Sequence, residues 1–296
     1  MKGSPQIRSP SFTILGTGQD GGTPQAGCSC PNCIAAHSEK QLARYPVAAG
    51  VSTGHGEHVL LEASRSLPHQ LMIWGDKQGL DCPIIPTHLA LTHVHLGHIE
   101  GIGQFGKEAM GVKNVKLIAS DKVLYFLSKR GALTPFKPLP FDNKIHTTGF
   151  TSELVDIEFI RVPHRDENSD THAILVSGPK NRILFLPDHD DWKDTLALHN
   201  FDKIRDWFRT LEISHAFIDA TFWDTNELQG RDMSDVPHPT VTETLEMLGE
   251  RKDDDPEIHL FHLNHTNPLN NPSSNQRATI EQMGWNVAEL GWTIEL

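Results

Sequence analysis

Histidine and aspartate residues follow the ends of several predicted strands, and this recurrence constrains the fold more than any other feature of the sequence. Six such residues follow four predicted strands: His93, His95, His98, His164, Asp188 and His262. Loops at strand ends of an α/β scaffold converge, so we expect these side chains to lie close together. Eighteen histidines allow some clustering by chance, but six such residues from four places favour a metal site. Imidazole suits zinc, iron, copper and nickel, so the pattern does not choose the metal.

Composition excludes several classes of protein. The chain has 296 residues, 38 % hydrophobic, without a linker-like stretch, so we predict a single domain over residues 1–296. A formal charge of −12 argues against a binder of nucleic-acid phosphates, and no run of 18 apolar residues suggests a membrane span. The N-terminus lacks the apolar core of a signal peptide. We therefore expect a soluble, cytoplasmic protein with a small-molecule substrate, and the sequence leaves a homodimer open.

A second metal site is predicted at the cysteines. Cys28, Cys30 and Cys33 lie within six residues, a spacing that suits zinc better than a disulfide framework. A closed structural zinc site needs a fourth Cys or His from elsewhere in the chain. Cys82 is the rival fourth ligand, and a reduced loop without metal is the alternative interpretation. The neighbouring segment 20–27 is glycine-rich, but it lacks the spacing of a phosphate-binding motif, so we interpret it as a structural loop.

Three predicted elements depend on weaker signals. Residues 99–110 look helical despite three glycines, and residues 192–211 read as one helix. The proline-rich stretch 132–150 is predicted to be a surface loop.

The run His93-Val94-His95-Leu96-Gly97-His98 resembles the hallmark His-x-His-x-Asp-His of the metallo-β-lactamase fold superfamily. The resemblance implies an α/β fold, a four-layer αβ/βα sandwich, over essentially the whole chain. Two branches are most similar: the pyrroloquinoline quinone biosynthesis protein B group and the cyclic phosphodiesterase of the carbon–phosphorus lyase pathway. Similarity to the first group is carried by the three cysteines and by segments 14–17, 21–25, 220–223, 231–233 and 266–268.

The resemblance also implies ligand sets. His93, His95 and His164 would bind a first catalytic metal, His98 and His262 a second, and Asp188 would bridge the two. His265 would complete one structural zinc ion with Cys28, Cys30 and Cys33. The catalytic site would hold one or two divalent ions, zinc in the first place, with iron or manganese as alternatives.

Gly97 departs from the parent motif, because it stands where the motif has an aspartate that binds the second metal. Asp190 or Asp166 could substitute for that carboxylate, or the site could be mononuclear. A metal-dependent hydrolase of a small ester, phosphodiester, lactone or amide is the first hypothesis. The candidates for proton delivery or substrate contact, besides Asp188 as a metal ligand, are His238 in the first place, Asp219, His189 and Asp232. A non-haem iron oxygenase and a non-catalytic metal-binding protein are the alternatives.

Overall fold

The computed structural model describes residues 9–142, 144–228 and 235–296. Within these ranges the chain forms two seven-stranded sheets, and three hydrophobic cores separate four layers. One core lies between the sheets, one lies between the first sheet and helices near it in sequence, and one lies between the second sheet and the later helices. The predicted four-layer α/β sandwich is confirmed.

The first sheet has the strand order β14-β1-β2-β3-β4-β5-β6. Its strands are β1 (Ser11–Gly16), β2 (Ala48–Ser52), β3 (His58–Leu61), β4 (His88–Ala90), β5 (Val115–Ser120), β6 (Phe136–Phe141) and β14 (Thr293–Glu295). Strands β3 to β6 are parallel, whereas β14, β1, β2 and β3 are antiparallel. The carboxyl ends of the parallel strands therefore meet along one edge of the sheet.

The second sheet repeats this division, with the order β13-β12-β11-β10-β9-β8-β7. Its strands are β7 (His146–Thr151), β8 (Asp156–Val162), β9 (Thr171–Ser177), β10 (Arg182–Leu186), β11 (His215–Asp219), β12 (Glu257–Phe261) and β13 (Asn286–Val287). Strands β10 to β13 are parallel, and β7 to β10 are antiparallel. In open α/β sheets, sites form at the carboxyl ends of parallel strands.

The described residues also form eight helices. They are α1 (Pro31–Ser38), α2 (Leu67–Lys77), α3 (Leu96–Ile99), α4 (Asp121–Lys129), α5 (Trp192–Leu198), α6 (Ile204–Thr210), α7 (Val241–Leu248) and α8 (Asn275–Gln282). Ser120 caps α4 and Thr240 caps α7 through side-chain hydrogen bonds to backbone N–H groups. Among the helices in the described ranges, none has the length and apolar character that crossing a bilayer requires.

Three predicted elements were wrong. The stretch 132–150 contains strands β6 and β7, each at the edge of its sheet, where the prolines of β6 cost no central hydrogen bond. Residues 192–211 form two helices, α5 and α6, because Asn200 adopts a positive φ of 63° between them. Residues 99–110 form the end of α3, a 3-10 segment (Glu100–Phe105) and turns, as glycines disfavour a continuous α-helix.

Candidate metal centre

The six histidine and aspartate residues singled out in the sequence meet in space. His93 and His95 lie between β4 and α3, and His98 lies within α3. The other three follow the ends of strands β8, β10 and β12: His164, Asp188 and His262. All except His95 are buried, with exposed fractions of 2 % or less. The fold thus brings together every residue to which the resemblance assigns a catalytic metal.

Asp188 lies between two groups of imidazoles. Its Oδ1 atom is 3.6 Å from His164 Nε2, and His164 forms one compact ligand group with His93 and His95. Its Oδ2 atom is 3.2 Å from His98 Nε2 and 3.6 Å from His262 Nε2. A single carboxylate therefore presents one oxygen to each group, which is the arrangement that a bridging ligand requires.

Several buried atoms of this centre lack hydrogen bonds to any described residue. They are His93 Nε2, His98 Nε2, His262 Nε2 and Asp188 Oδ2. A buried polar atom without a partner is costly, and such atoms are rare in folded proteins. Imidazole nitrogens and carboxylate oxygens are ligands of divalent transition metals, so the orphaned atoms fit a metal ion.

In most of these imidazoles the other ring nitrogen, Nδ1, has an oxygen atom as its partner. Three Nδ1 atoms have a neighbouring oxygen at hydrogen-bond distance: Thr92 Oγ1 is 2.8 Å from His93, Asp190 Oδ1 is 3.1 Å from His164, and Thr221 Oγ1 is 2.8 Å from His262. Such contacts fix the orientation of metal-binding imidazoles and leave Nε2 for the ion. Asp190 therefore supports His164, and it does not replace the carboxylate missing at position 97. Asp166 pairs with Arg161 instead.

Glu62 was not predicted from the sequence. It follows β3, is fully buried with a positive φ of 66°, and accepts a hydrogen bond from the Thr92 N–H at 3.1 Å. Its Oε1 atom is 3.6 Å from His98 Nδ1. Burial lowers the pKa of His98, but the charges of Asp188 and Glu62 outweigh burial, and the pKa is raised well above its ordinary value. The centre thus carries surplus negative charge that a cation would balance.

The carboxylate of Asp20 lies beside Gly97. A Cβ atom at position 97 would collide with Asp20 Oδ1 and with the Cα atom of Asp20. Asp20 Oδ1 is 3.5 Å from His98 Nε2, and Asp20, His98 and His262 form a third compact ligand group. Burial raises the pKa of Asp20, but the close contact with His98 and the charges of His98 and His262 together outweigh it and lower the pKa to about 2. An acidic residue in the glycine-rich loop was the only signal of this contact in the sequence.

His238 and Asp219 form a pair beside the centre. His238 Nδ1 is 2.6 Å from Asp219 Oδ2, and His238 also belongs to a compact group with His164 and Asp188. Asp219 is fully buried, and its Oδ1 accepts hydrogen bonds from the N–H and the hydroxyl of Thr221 at 3.0 and 2.7 Å. Asp219 therefore fixes the orientation of His238. It also holds Thr221, whose hydroxyl contacts His262.

The remaining candidates for proton delivery are less central. His189 is buried, and its Nδ1 atom contacts Thr195 Oγ1 at 2.9 Å and the carbonyl oxygen of Asp191 at 3.0 Å, which suits a structural role in the β10–α5 connection. Asp232, with the segment 231–233, lies outside the described residues.

The three clustered cysteines meet His265, as the resemblance implies. The distances from His265 Nδ1 to the Sγ atoms of Cys28, Cys30 and Cys33 are 3.3, 3.5 and 3.7 Å. A tetrahedral zinc ion with ordinary bond lengths would hold its sulfur and nitrogen ligands about 3.5 Å apart. Burial raises the pKa of the Cys33 thiol to about 12, so a thiolate there needs a cation. Cys82 is exposed and lies outside this cluster.

Comparisons with known proteins agree with this architecture. Residues 84–287 match the model of the family described as beta-lactamase superfamily domain. Coenzyme PQQ synthesis protein B of Acinetobacter baumannii (strain ACICU) is 25 % identical over 312 residues, covering 96 % of this chain and 99 % of that protein. The homologue from Ruegeria pomeroyi is 24 % identical over 319 residues, with the same coverage of both chains.

Solved structures show the same fold. The crystal structure of Zn²⁺-bound PqqB from Methylobacterium extorquens superposes with a TM-score of 0.75 at 19 % identity, covering 97 % of this chain and all of that one. A diphosphatase of the PhnP family gives a TM-score of 0.66 at 17 % identity, covering 97 % and 98 %. The resemblance to both branches is therefore confirmed, and the His, Asp and Cys clusters support binding of divalent metal.

Proposed function

The chain belongs to the β-lactamase superfamily, and we propose that it is a metal-dependent hydrolase of a small-molecule ester, phosphodiester or lactone. The observation that carries the proposal is the placement of Asp188, whose Oδ1 atom faces His164 and whose Oδ2 atom faces His98 and His262. A divalent ion bound by these residues would lower the pKa of a water ligand and so would supply hydroxide near neutral pH. The similarity in fold to a diphosphatase of the PhnP family supports a scaffold that such chemistry would use.

The residues of the chain suit the two parts of such a site. His93, His95 and His164 would hold one ion, and His98 and His262 would hold the other, with Asp188 shared between them. Nitrogen and oxygen ligands of this kind suit zinc, and the Methylobacterium relative is described as Zn²⁺-bound. Iron and manganese remain the alternatives for the catalytic centre.

Arg165 gives the centre a positive flank. Its guanidinium lies 3.2 Å from His95 Nε2 and is partly exposed. A guanidinium binds phosphate and carboxylate oxygens in a planar, bidentate manner. We therefore favour a small anionic substrate, with Arg165 as its positioning contact.

His238 is the proposed proton donor to the leaving group. Burial lowers its pKa, but the charge and hydrogen bond of Asp219, together with the charges of Asp188 and Asp20, outweigh burial and raise the pKa above its ordinary value. With Nδ1 donating to Asp219, Nε2 would be the atom that donates the proton to the leaving group. Protonated His238 can thus act as a general acid near neutral pH.

Replacement of Asp219 by Asn tests this assignment through the pH profile of kcat/KM. The rate should fall as pH rises through the pKa of His238, because the protonated ring is required. Loss of the Asp219 charge should lower that pKa and move the alkaline limb to lower pH. We expect a shift of about one unit, which corresponds to a loss of about 1.4 kcal/mol in the stabilisation of the protonated ring relative to the neutral ring. Asp191→Asn, which changes a carboxylate that caps α5, is the control and should leave the limb in place. An unmoved limb in Asp219→Asn would remove His238 from the role.

The hydrolase proposal itself is tested by metal analysis and activity. Protein purified without added metal should contain zinc beyond the one structural equivalent, and it should cleave a chromogenic phosphodiester or ester. Removal of the catalytic metal by a chelator should abolish cleavage, and zinc should restore it. Protein that holds metal at the centre but cleaves none of these probes would contradict the proposal.

An iron-dependent oxygenase is the second candidate, because the similar curated proteins are named for synthesis of coenzyme PQQ. A His-rich centre with carboxylate ligands also suits non-haem iron. Stoichiometric iron together with oxygen consumption would favour this candidate over the hydrolase. A centre that stays empty at saturating metal would instead favour a non-catalytic protein.

A further inference from the structure

We propose that Asp20 is the carboxylate ligand of the second metal position, in place of the aspartate that the histidine motif lacks at Gly97. The inference rests on the proposed function only in requiring that the centre bind metal. It assigns a ligand from the glycine-rich loop, far from the motif in sequence, and it assigns Gly97 the role of making room for that ligand.

The ligand geometry supports Asp20. Its Oδ1 atom lies 3.5 Å from His98 Nε2, and the ligand atoms of Asp20, His98 and His262 all lie within 4.8 Å of one another. His98 Nε2 and His262 Nε2 are buried atoms without hydrogen bonds to the described residues. With Asp188 Oδ2 on the same side, the second position has two imidazoles and two carboxylates. Asp20 would thus bring a full carboxylate charge to a position that otherwise has only the shared charge of Asp188.

Gly97 is explained by the approach of Asp20. Gly97 lies in helix α3 and has no positive φ, so its backbone conformation does not itself require glycine. A Cβ atom there would overlap both the carboxylate and the Cα atom of Asp20. Any larger residue at position 97 would therefore displace the loop. The position at which the motif has an aspartate is therefore the position that the Asp20 carboxylate approaches.

The loop that carries Asp20 is anchored to the ligand segments. The Gln19 N–H donates to the carbonyl oxygen of Leu263 at 2.9 Å, directly beside His262. Arg65 donates to the carbonyl oxygen of Asp20 at 3.0 Å and pairs with Glu100 at 2.9 Å, close after His98. The loop is thus tied to residues that lie close in sequence to both imidazoles with which Asp20 would share an ion.

The test is the metal stoichiometry and affinity of Asp20→Asn, measured on the full-length protein by elemental analysis after dialysis and by zinc titration against a chromophoric chelator. Wild type should hold three zinc ions, and Asp20→Asn should hold two, with the affinity of the weakest catalytic ion lowered at least about 100-fold. Asp20→Glu, which keeps the carboxylate, should retain part of that affinity. Asp81→Asn, an exposed carboxylate in a loop, is the matched control and should bind as wild type.

Gly97→Ala gives an independent measurement of the same site. It should also lose the third ion, whereas Gly103→Ala should not, because a Cβ at position 103 meets no atom within 4 Å. Retention of the zinc ion held by Cys28, Cys30, Cys33 and His265 in every variant shows that the fold is intact.

The outcomes separate the inference from the proposed function. A wild-type protein that binds no metal besides the cysteine-held zinc refutes the metal hydrolase itself and the inference with it. A wild type with two ions leaves a mononuclear hydrolase standing but overturns the role of Asp20. A wild type with three ions, matched in stoichiometry and affinity by Asp20→Asn, likewise overturns the inference and leaves the hydrolase intact.

Discussion

Asp188→Asn is expected to empty the histidine centre and to lower kcat/KM by about 10³-fold or more. The amide keeps the size of the side chain but removes the charge that faces His164 on one side and His98 and His262 on the other. A metal ion contributes several kcal/mol to transition-state stabilisation, and each 1.4 kcal/mol is about tenfold in rate. Elemental analysis should show loss of catalytic metal while the zinc held by the cysteines remains.

Two neighbouring aspartates provide graded controls. Asp190 contacts the outer nitrogen of His164, so Asp190→Asn should weaken metal binding or activity by about 10- to 100-fold. Asp191 caps helix α5 through the Asp194 N–H, so Asp191→Ala should cost about 1 kcal/mol of unfolding free energy and leave the metal content unchanged. The three substitutions within four residues thus separate metal binding, ligand orientation and helix stability.

We expect the loss of catalytic metal to be largest in Asp188→Asn, smaller in Asp190→Asn and absent in Asp191→Ala. If Asp188→Asn retained full catalytic metal, Asp188 would not bridge the centre. If Asp190→Asn had the larger effect on metal content, Asp190, which contacts the Nδ1 side of His164, would be more important for metal binding than Asp188.

Most of the ligands could be predicted because each lies at a local signal. A strand end followed by His or Asp is visible in a short window of sequence, as at His164 and Asp188. The fold class followed from the same pattern together with the resemblance. Strands β10 and β12 are parallel, and β8 runs in the same direction because both β8 and β10 are antiparallel to β9, so their ends meet at one edge of the second sheet.

Asp20 and Glu62 could not be predicted in this way. Asp20 sits in a glycine-rich loop that looks purely structural, and its meaning depends on contact with Gly97 and His98 across a long sequence separation. Glu62 follows an ordinary strand, and only its burial beside His98 gives it a role. Residues whose role depends on a tertiary contact need not belong to any recognisable periodic pattern or motif in the sequence.

The errors in secondary structure have a similar origin. The prolines at 138 and 140 indicate a loop when read locally, but they are compatible with β6 because it is the last strand of its sheet. Whether a strand is central or at an edge is a property of the whole fold.

Cys33→Ser is expected to remove one zinc ion and to lower the free energy of unfolding by at least about 4 kcal/mol, a loss typical of a removed metal or disulfide. The buried Sγ of Cys33 lies 3.7 Å from His265 Nδ1 and accepts a hydrogen bond from the Gln25 N–H at 3.2 Å, so serine, a poor zinc ligand, would open a closed site. For a chain longer than 200 residues, this loss corresponds to a fall in Tm of about 10 °C.

The same substitution should also weaken the catalytic centre. The cysteine site joins the loop that follows Asp20 to His265, which lies three residues beyond His262. Loosening it should lower the affinity for catalytic zinc, measured by chelator competition at a temperature where the variant is still folded. Cys82→Ser, at an exposed cysteine outside the cluster, should change neither the zinc content nor Tm. A Cys33→Ser protein with full zinc content and unchanged Tm would show that the cysteines and His265 hold no structural ion.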